Sequence, residues 1–392
     1  FFSGGNANWI QVAKIHVNSI ENDQVKITEI HVYQVDLPVR NGPYTYSGGA
    51  LHSVDSTVVE IVTDSGMQGF GECCPCGPTY AAEHGMGGRA ALSQFSAHLI
   101  GENPLAHRAV HQVMQNHLEG HSYAKAAIDI ALWDITGKHY GTRVCDLIGG
   151  AQYDEVISYY TTGSVSPQQA VEIALEKRAQ GFERLQIKVG GRPVEIDIEV
   201  IRKVWEAVGG DMRIAADANR SWTTRDAIFA SSALVGVPVV FEQPCDTLDE
   251  IEIIRPIISH PIYLDESSKD IGTVVRAAGQ GLCDGFGLKL TRFGGITGLV
   301  TVRDICRARN MPHSCDDAWG GDILAAACLH VGATVDPHLQ EGVWIAQPYI
   351  EGHYDSTNGI EIKGGQIKVP EGPGLGIVPD AEVFGKPAAS YC

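Results

Sequence analysis

The sequence predicts an α/β chain: a parallel barrel of alternating strands and helices behind a smaller α+β module. Two observations carry this expectation. Between Gly150 and about residue 340, short apolar runs alternate with stretches of helical period, in about seven strand–helix units. Five of these runs carry a charged residue at their C-terminal end: RLQIKVGG (Lys188), RIAADANRS (Asp217), PVVFEQP (Glu242), PIYLDES (Asp265) and DGFGLKLTRFGG (Lys289). The three acidic residues are 25 and 23 positions apart, and Lys289 follows Asp265 by 24. A strand, a turn and a helix fill about that length. An open doubly wound sheet needs chemistry at one switch point. A barrel gathers all of its C-terminal strand ends on one face, so five charged ends in succession favour the barrel.

The elements follow in order. Residues 1–25 have no starting Met and no long apolar core. They read as an N-terminal extension without a fixed fold, not as a secretory signal. Residues 26–150 read as the α+β module. KITEIHVYQVDLPVR and STVVEIVTDSGMQGFGE alternate as strands, with Asp64, Ser65 and Gly66 at a hairpin turn. Helices are expected over Ala90–Leu99 and Tyr123–His139, the second with Ala127, Ile130, Ala131 and Ile135 on one face.

Residues 151–350 read as the barrel. VISYYTTG is its first strand, and SPQQAVEIALEKRAQG the helix after it, with Ser166 as N-cap, Pro167 in the first turn and Gly181 as its stop. In VEIDIEVIRKVWEAVGG the apolar stripe is Ile198, Ile201, Val204, Trp205 and Val208. Residues 351–392, with GIEIKGGQIKVPEGPGLG as a return hairpin, read as a C-terminal segment that completes the capping module.

Bulk composition excludes several functions. The net charge is −18 and no basic patch stands ready to neutralise phosphates, which argues against nucleic-acid binding. No apolar run reaches the roughly 18 residues of a membrane span. The ten cysteines include one cluster, Cys73, Cys74 and Cys76. No second Cys/His pair lies at zinc-finger spacing, so the expectation is reduced thiols in a cytoplasmic enzyme.

The charged strand ends define a chemistry. Asp217, Glu242 and Asp265 offer hard oxygen ligands of the kind Mg²⁺ takes, with positions left for a substrate carboxylate. A metal there stabilises the charge that develops when a proton leaves the carbon next to that carboxylate. Lys188 and Lys289 flank the acidic trio, on strands about half a barrel apart. Lysine is a poor base at its ordinary pKa of about 10.4, and a neighbouring cation lowers it. Two bases on opposite faces permit inversion at carbon, or elimination of a neighbouring leaving group. A lone strand-end carboxylate is ordinarily a helix cap or an ion pair; five charged ends at regular spacing make five separate structural explanations implausible.

These residues resemble the enolase superfamily, and within it the mandelate racemase and muconate lactonizing enzyme group, over Lys26 to Cys392. The resemblance implies a (β/α)₇β TIM-like barrel with an N-terminal α+β capping domain. It implies Asp217, Glu242 and Asp265 as metal ligands, Lys188 and Lys289 as catalytic lysines, and Mg²⁺ as cofactor. Gln186 stands where the muconate-lactonizing type usually has the first lysine of Lys-x-Lys. Together with GPTY (Tyr80), EQPC, FGLKLTR and SCDDAWGGD, this form is similar to the proline-betaine and hydroxyproline-betaine 2-epimerases.

The implied function is racemisation or 2-epimerisation of proline-type amino acid betaines. A small carboxylate substrate with a cationic nitrogen is the implied partner, and a homo-oligomer the implied assembly. Asp316, Asp317, Trp319 and Tyr80 are candidates to hold the cationic end through charge and aromatic faces, and Gln186 to bind the substrate carboxylate. His313 reads as structural rather than as a third base. The alternatives at the same site are a cis-3-hydroxyproline dehydratase and a muconate-lactonizing-type cycloisomerase. Further away stand a Schiff-base lysine aldolase, which borohydride would trap, and a non-catalytic betaine-binding protein.

Overall fold

A computed structural model describes residues 25–46, 49–380 and 382–392. The expectation for the N-terminal extension, up to residue 24, lies outside the described residues. In the capping module, β1 (Ile27–Pro38), β2 (Ser53–Thr63) and β3 (Gln68–Cys73) form an antiparallel sheet. The β2–β3 turn falls at the expected Asp64–Gly66, where Gly66 takes φ +77°, a conformation that favours glycine. A small hairpin, Tyr44–Tyr46 with Gly49–Leu51, reaches out between β1 and β2.

Three helices follow: α1 (Gly85–Phe95), α2 (His107–His117) and α3 (Ser122–Tyr140). Helix α3 is buried on nearly all sides because it is wedged between the capping sheet and the barrel. Against the sheet, a Cβ at Gly71 would lie 1.8 Å from the Ala127 carbonyl oxygen, so only glycine admits the helix. Against the barrel, Trp133 Nε1 donates to Thr297 Oγ1 at 2.9 Å and Asp129 accepts the Thr297 amide at 3.0 Å.

Seven parallel strands run in sequence order: β4 (Tyr160–Thr161), β5 (Arg184–Lys188), β6 (Arg213–Asp217), β7 (Val239–Glu242), β8 (Ile262–Leu264), β9 (Gly285–Lys289) and β10 (His313–Asp316). A helix follows each of them. Residues 340–343 close the ring. Gln340 bridges His313 and Val343 bridges Ser158, both in parallel sense. The Val343 amide donates to the Ile157 carbonyl at 2.9 Å, and the Cys315 amide to the Gly342 carbonyl at 3.2 Å. Seven strand–helix pairs plus this last strand make a (β/α)₇β barrel.

The strands are near-continuous apolar runs because side chains fill the barrel on one face and helices cover the other. Helix α4 (Pro167–Ala179) starts with the expected cap: the Ser166 side chain accepts the Gln169 amide, and Gln169 returns the bond. Helix α5 (Val194–Val208) buries Ile198, Ile201, Val204 and Val208 against the barrel.

The C-terminal segment serves both modules. Its hairpin, Ile362–Lys363 with Gln366–Lys368, pairs with Glu155–Ile157, before β4 at the N-terminal end of the barrel. Its last strand, Ala389–Tyr391, joins the edge of β1 in the capping sheet. Among the described residues no helix is long and apolar enough to cross a membrane.

Candidate active site

The charged residues singled out from the sequence sit at the C-terminal strand ends, as the alternation requires. Neighbouring strands align them in register: Lys188 opposite Asp217, Asp217 opposite Glu242, and Lys289 opposite Asp316. Lys188 ends the second barrel strand and Lys289 the sixth, four apart in a ring of eight, hence on opposite walls. Both line one cleft of about 480 Å³, mouth included, together with Asp217 and Asp265.

The carboxylates are tied unequally. Asp217 Oδ2 lies 2.5 Å from Lys188 Nζ. Asp265 accepts Arg292 Nη1 at 2.7 Å and the Tyr80 hydroxyl at 3.1 Å, with Lys289 Nζ 3.5 Å away. Glu242 Oε2 accepts Gln186 Nε2 at 2.7 Å, whereas its Oε1 is buried with no partner. Two further buried acceptors, Glu266 Oε2 and Asn219 Oδ1, also lack a donor. Burial, reinforced by Asp217 and Asp265, pushes the carboxyl groups of Glu242 and Glu266 up to about 8. Burial also opposes charge on Asp265, but Lys289 and Arg292 outweigh it and hold its pKa at about 2.

A surplus of buried acidic groups with unused oxygens fits a hard divalent cation. Gly287 supports the same fit: a Cβ there would meet Glu242 Oε1 at 3.1 Å, and its lack keeps that oxygen clear. As they stand, no three acidic, His or Cys side chains among the described residues close on one point. Asp217 and Asp265 are turned towards their cationic neighbours instead.

Those same contacts govern the lysines. Burial alone would lower the Lys188 pKa, but the Asp217 carboxylate more than offsets it and raises it. Lys289 stands well above its ordinary value, because Asp265 and Asp316 together exceed the effect of burial. In this arrangement the neighbouring carboxylates, rather than burial, set the direction for both amines.

Of the expected substrate-binding residues, Tyr80, Gln186, Asp317 and Trp319 line the cleft and Asp316 does not. Asp316 is fully buried beside Lys289 with its oxygens engaged. Rather than a substrate contact, Asp316 is a partner of Lys289. Asp317 accepts the Thr291 amide at 2.7 Å and the Ala318 amide at 2.7 Å, so its carboxylate also braces the rim. Trp319 meets Tyr44 edge-on at 5.4 Å and Trp344 at 5.9 Å between centroids.

Sequence reasoning missed Tyr44 and Tyr46 from the capping hairpin and Trp344 just after the closing strand, all of which line the cleft. It also missed Glu266 and Asn219, although they stand one and two residues beyond candidate ligands. His313 lies outside the cleft, with Nδ1 against the Met311 carbonyl at 3.0 Å and its pKa lowered by burial. Cys73, Cys74 and Cys76 are free and buried, and Cys76 touches the cleft.

Fold and site together are those of a capped (β/α)₇β-barrel enzyme with its chemistry at the strand ends. The mandelate racemase / muconate lactonizing enzyme N-terminal domain family matches residues 27–149, and the enolase C-terminal domain-like family matches residues 169–383. The chain is 37% identical to the cis-3-hydroxy-L-proline dehydratase of Roseibium aggregatum, over 94% of this chain and 100% of that one. It superposes with a TM-score of 0.89 on a mandelate racemase/muconate lactonizing enzyme from Silicibacter pomeroyi, at 35% identity over 93% and 99% of the two chains. An enolase superfamily member from Roseovarius nubinhibens, complexed with magnesium, gives 0.89 at 32% identity over 94% and 99%. The chain therefore belongs to the mandelate racemase/muconate lactonizing enzyme group of the enolase superfamily.

Proposed function

We propose that this enzyme is a Mg²⁺-dependent racemase or 2-epimerase of proline-type amino acids and their betaines. The observation that carries the reading is the pair of lysines on opposite walls of a cleft edged by buried carboxylates. Asp217, Glu242 and Asp265 would hold the ion, with Glu266 and Asn219 beside them. The ion supplies Lewis-acid stabilisation for the carboxylate of the substrate. One lysine takes the α-proton onto Nζ, and the C–H electron pair passes into the carboxylate as an enediolate. The opposite lysine returns a proton to the other face, which inverts the carbon. Tyr44, Trp319 and Trp344 give the cleft an aromatic wall suited to a cationic nitrogen, with Asp317 adding negative charge. The acidic chain with free thiols suits a cytoplasmic enzyme.

The test is incubation of the Mg²⁺-loaded enzyme in deuterated water with separate stereoisomers of proline, 4-hydroxyproline and their betaines. Polarimetry and proton NMR are the readouts. The expected result is α-carbon labelling with racemisation; absence of labelling across the panel would remove the reading. A second reading is dehydration of cis-3-hydroxyproline, favoured by the 37% identity to a dehydratase along the whole chain. It needs loss of the β-hydroxyl, so a pyrroline or keto-acid product would select it.

A further inference from the structure

Asp316 has a geometry suited to a different task from substrate binding. It is the in-register neighbour of Lys289, with Oδ2 3.5 Å from Nζ. The same oxygen accepts the Tyr159 hydroxyl at 2.8 Å and the Ser314 hydroxyl. Oδ1 accepts the Trp344 amide at 2.7 Å. These donors come from the approach to β4, from β10 and from just after the closing strand, so three barrel segments clamp one carboxylate. With both of its oxygens bonded, the Asp316 carboxylate is held beside Lys289 Nζ.

Lys188 has no counterpart. Its in-register neighbour is Asp217, a candidate metal ligand, and that is its one ion pair among the described residues. Resting on the function proposed above, we infer that Asp316 is a positioning residue for Lys289, clamped through Tyr159, Ser314 and the Trp344 amide. Lys289 keeps its anchor whatever Asp265 binds; Lys188 shares its partner with the metal site. During turnover the proton moves only between the α-carbon and the two amines, and Asp316 neither gains nor loses one.

The experiment follows α-proton exchange separately from D- and L-proline betaine in deuterated water, using the full chain with Mg²⁺. Lys289→Ala identifies the isomer whose proton faces Lys289. In Asp316→Asn, racemisation is expected to fall by about 10- to 100-fold. Exchange falls by about the same factor from that isomer and stays near wild type from the other. Tyr159→Phe, which removes one clamp and keeps the carboxylate, moves in the same direction by a smaller factor and decides the matter if the Asn variant does not fold. Parallel loss from both isomers, or no change in either, overturns the positioning role. If the wild type exchanges neither isomer, the proton-transfer reading fails first and takes this inference with it.

Discussion

Lys188 and Lys289 occupy equivalent strand ends on opposite walls of one barrel, yet their surroundings differ. Lys188 leans on Asp217, a residue the cation site would also claim. Lys289 lies near Asp265 too, but has behind it Asp316, an anion locked by three donors and outside the cleft. A side chain's place along its own strand is thus only half of its environment. The neighbouring strand supplies the other half, and the barrel does not repeat it.

The strongest way to break this comparison is to remove each amine in turn. Lys188→Ala and Lys289→Ala should each reduce racemisation by about 10²- to 10⁴-fold, the usual worth of a general acid or base. Each should leave exchange from a different stereoisomer. Loss of exchange from the same isomer in both variants would show that the amines do not serve opposite faces.

Next in size is Glu242→Gln. Glu242 forms no ion pair with either lysine, so the change should depress exchange from both isomers alike. If Glu242 holds the ion as proposed, Mg²⁺ titration calorimetry should show affinity about 100-fold or more below wild type, a loss of about 2.7 kcal/mol. EDTA treatment of the wild type should reproduce the equal loss, and Mg²⁺ should restore it. A smaller effect is expected for Gln186→Leu, which strips the 2.7 Å donor from Glu242 Oε2. A hydrogen bond to a charged group is worth about 1.5–3 kcal/mol. Mg²⁺ affinity should therefore drop at least about tenfold, without favouring one isomer.

The smallest effect tests recognition rather than chemistry. Trp319→Ala should raise KM for a quaternary betaine by about tenfold, within the range of a desolvated cation–π contact. The ratio of exchange from the two isomers should stay the same. A changed ratio would mean that the aromatic wall also supports one lysine.

Much of this site was legible in the sequence because barrel strands are short and dry. A charged residue at the end of RLQIK or VVFE can only be at a rim, and the repeat spacing put five of them on one face. The SPQQ start of α4 was equally readable, since its cap is local. Legibility stopped where the answer lies between strands. Asp316 and Asp317 look alike in SCDDAWGG, but Tyr159, Ser314 and the Trp344 amide take up the first, while the second, one residue past the strand end, reaches the cleft lining. The closing strand, residues 340–343, makes few ladder bonds and has no long apolar run to announce it. Tyr44 and Trp344 come to Trp319 from opposite ends of the chain, a meeting that only the closed fold creates.

The cap carries a further consequence. Tyr44, Tyr46, Cys76 and Tyr80 enter the cleft from one module, while both amines and the acidic trio belong to the other. The cleft is therefore complete only when both modules are folded and docked, because the barrel adds Gln186, Asp317, Trp319 and Trp344 to the same lining. A change in how the cap seats on the barrel would reshape the mouth of the cleft without altering any strand end.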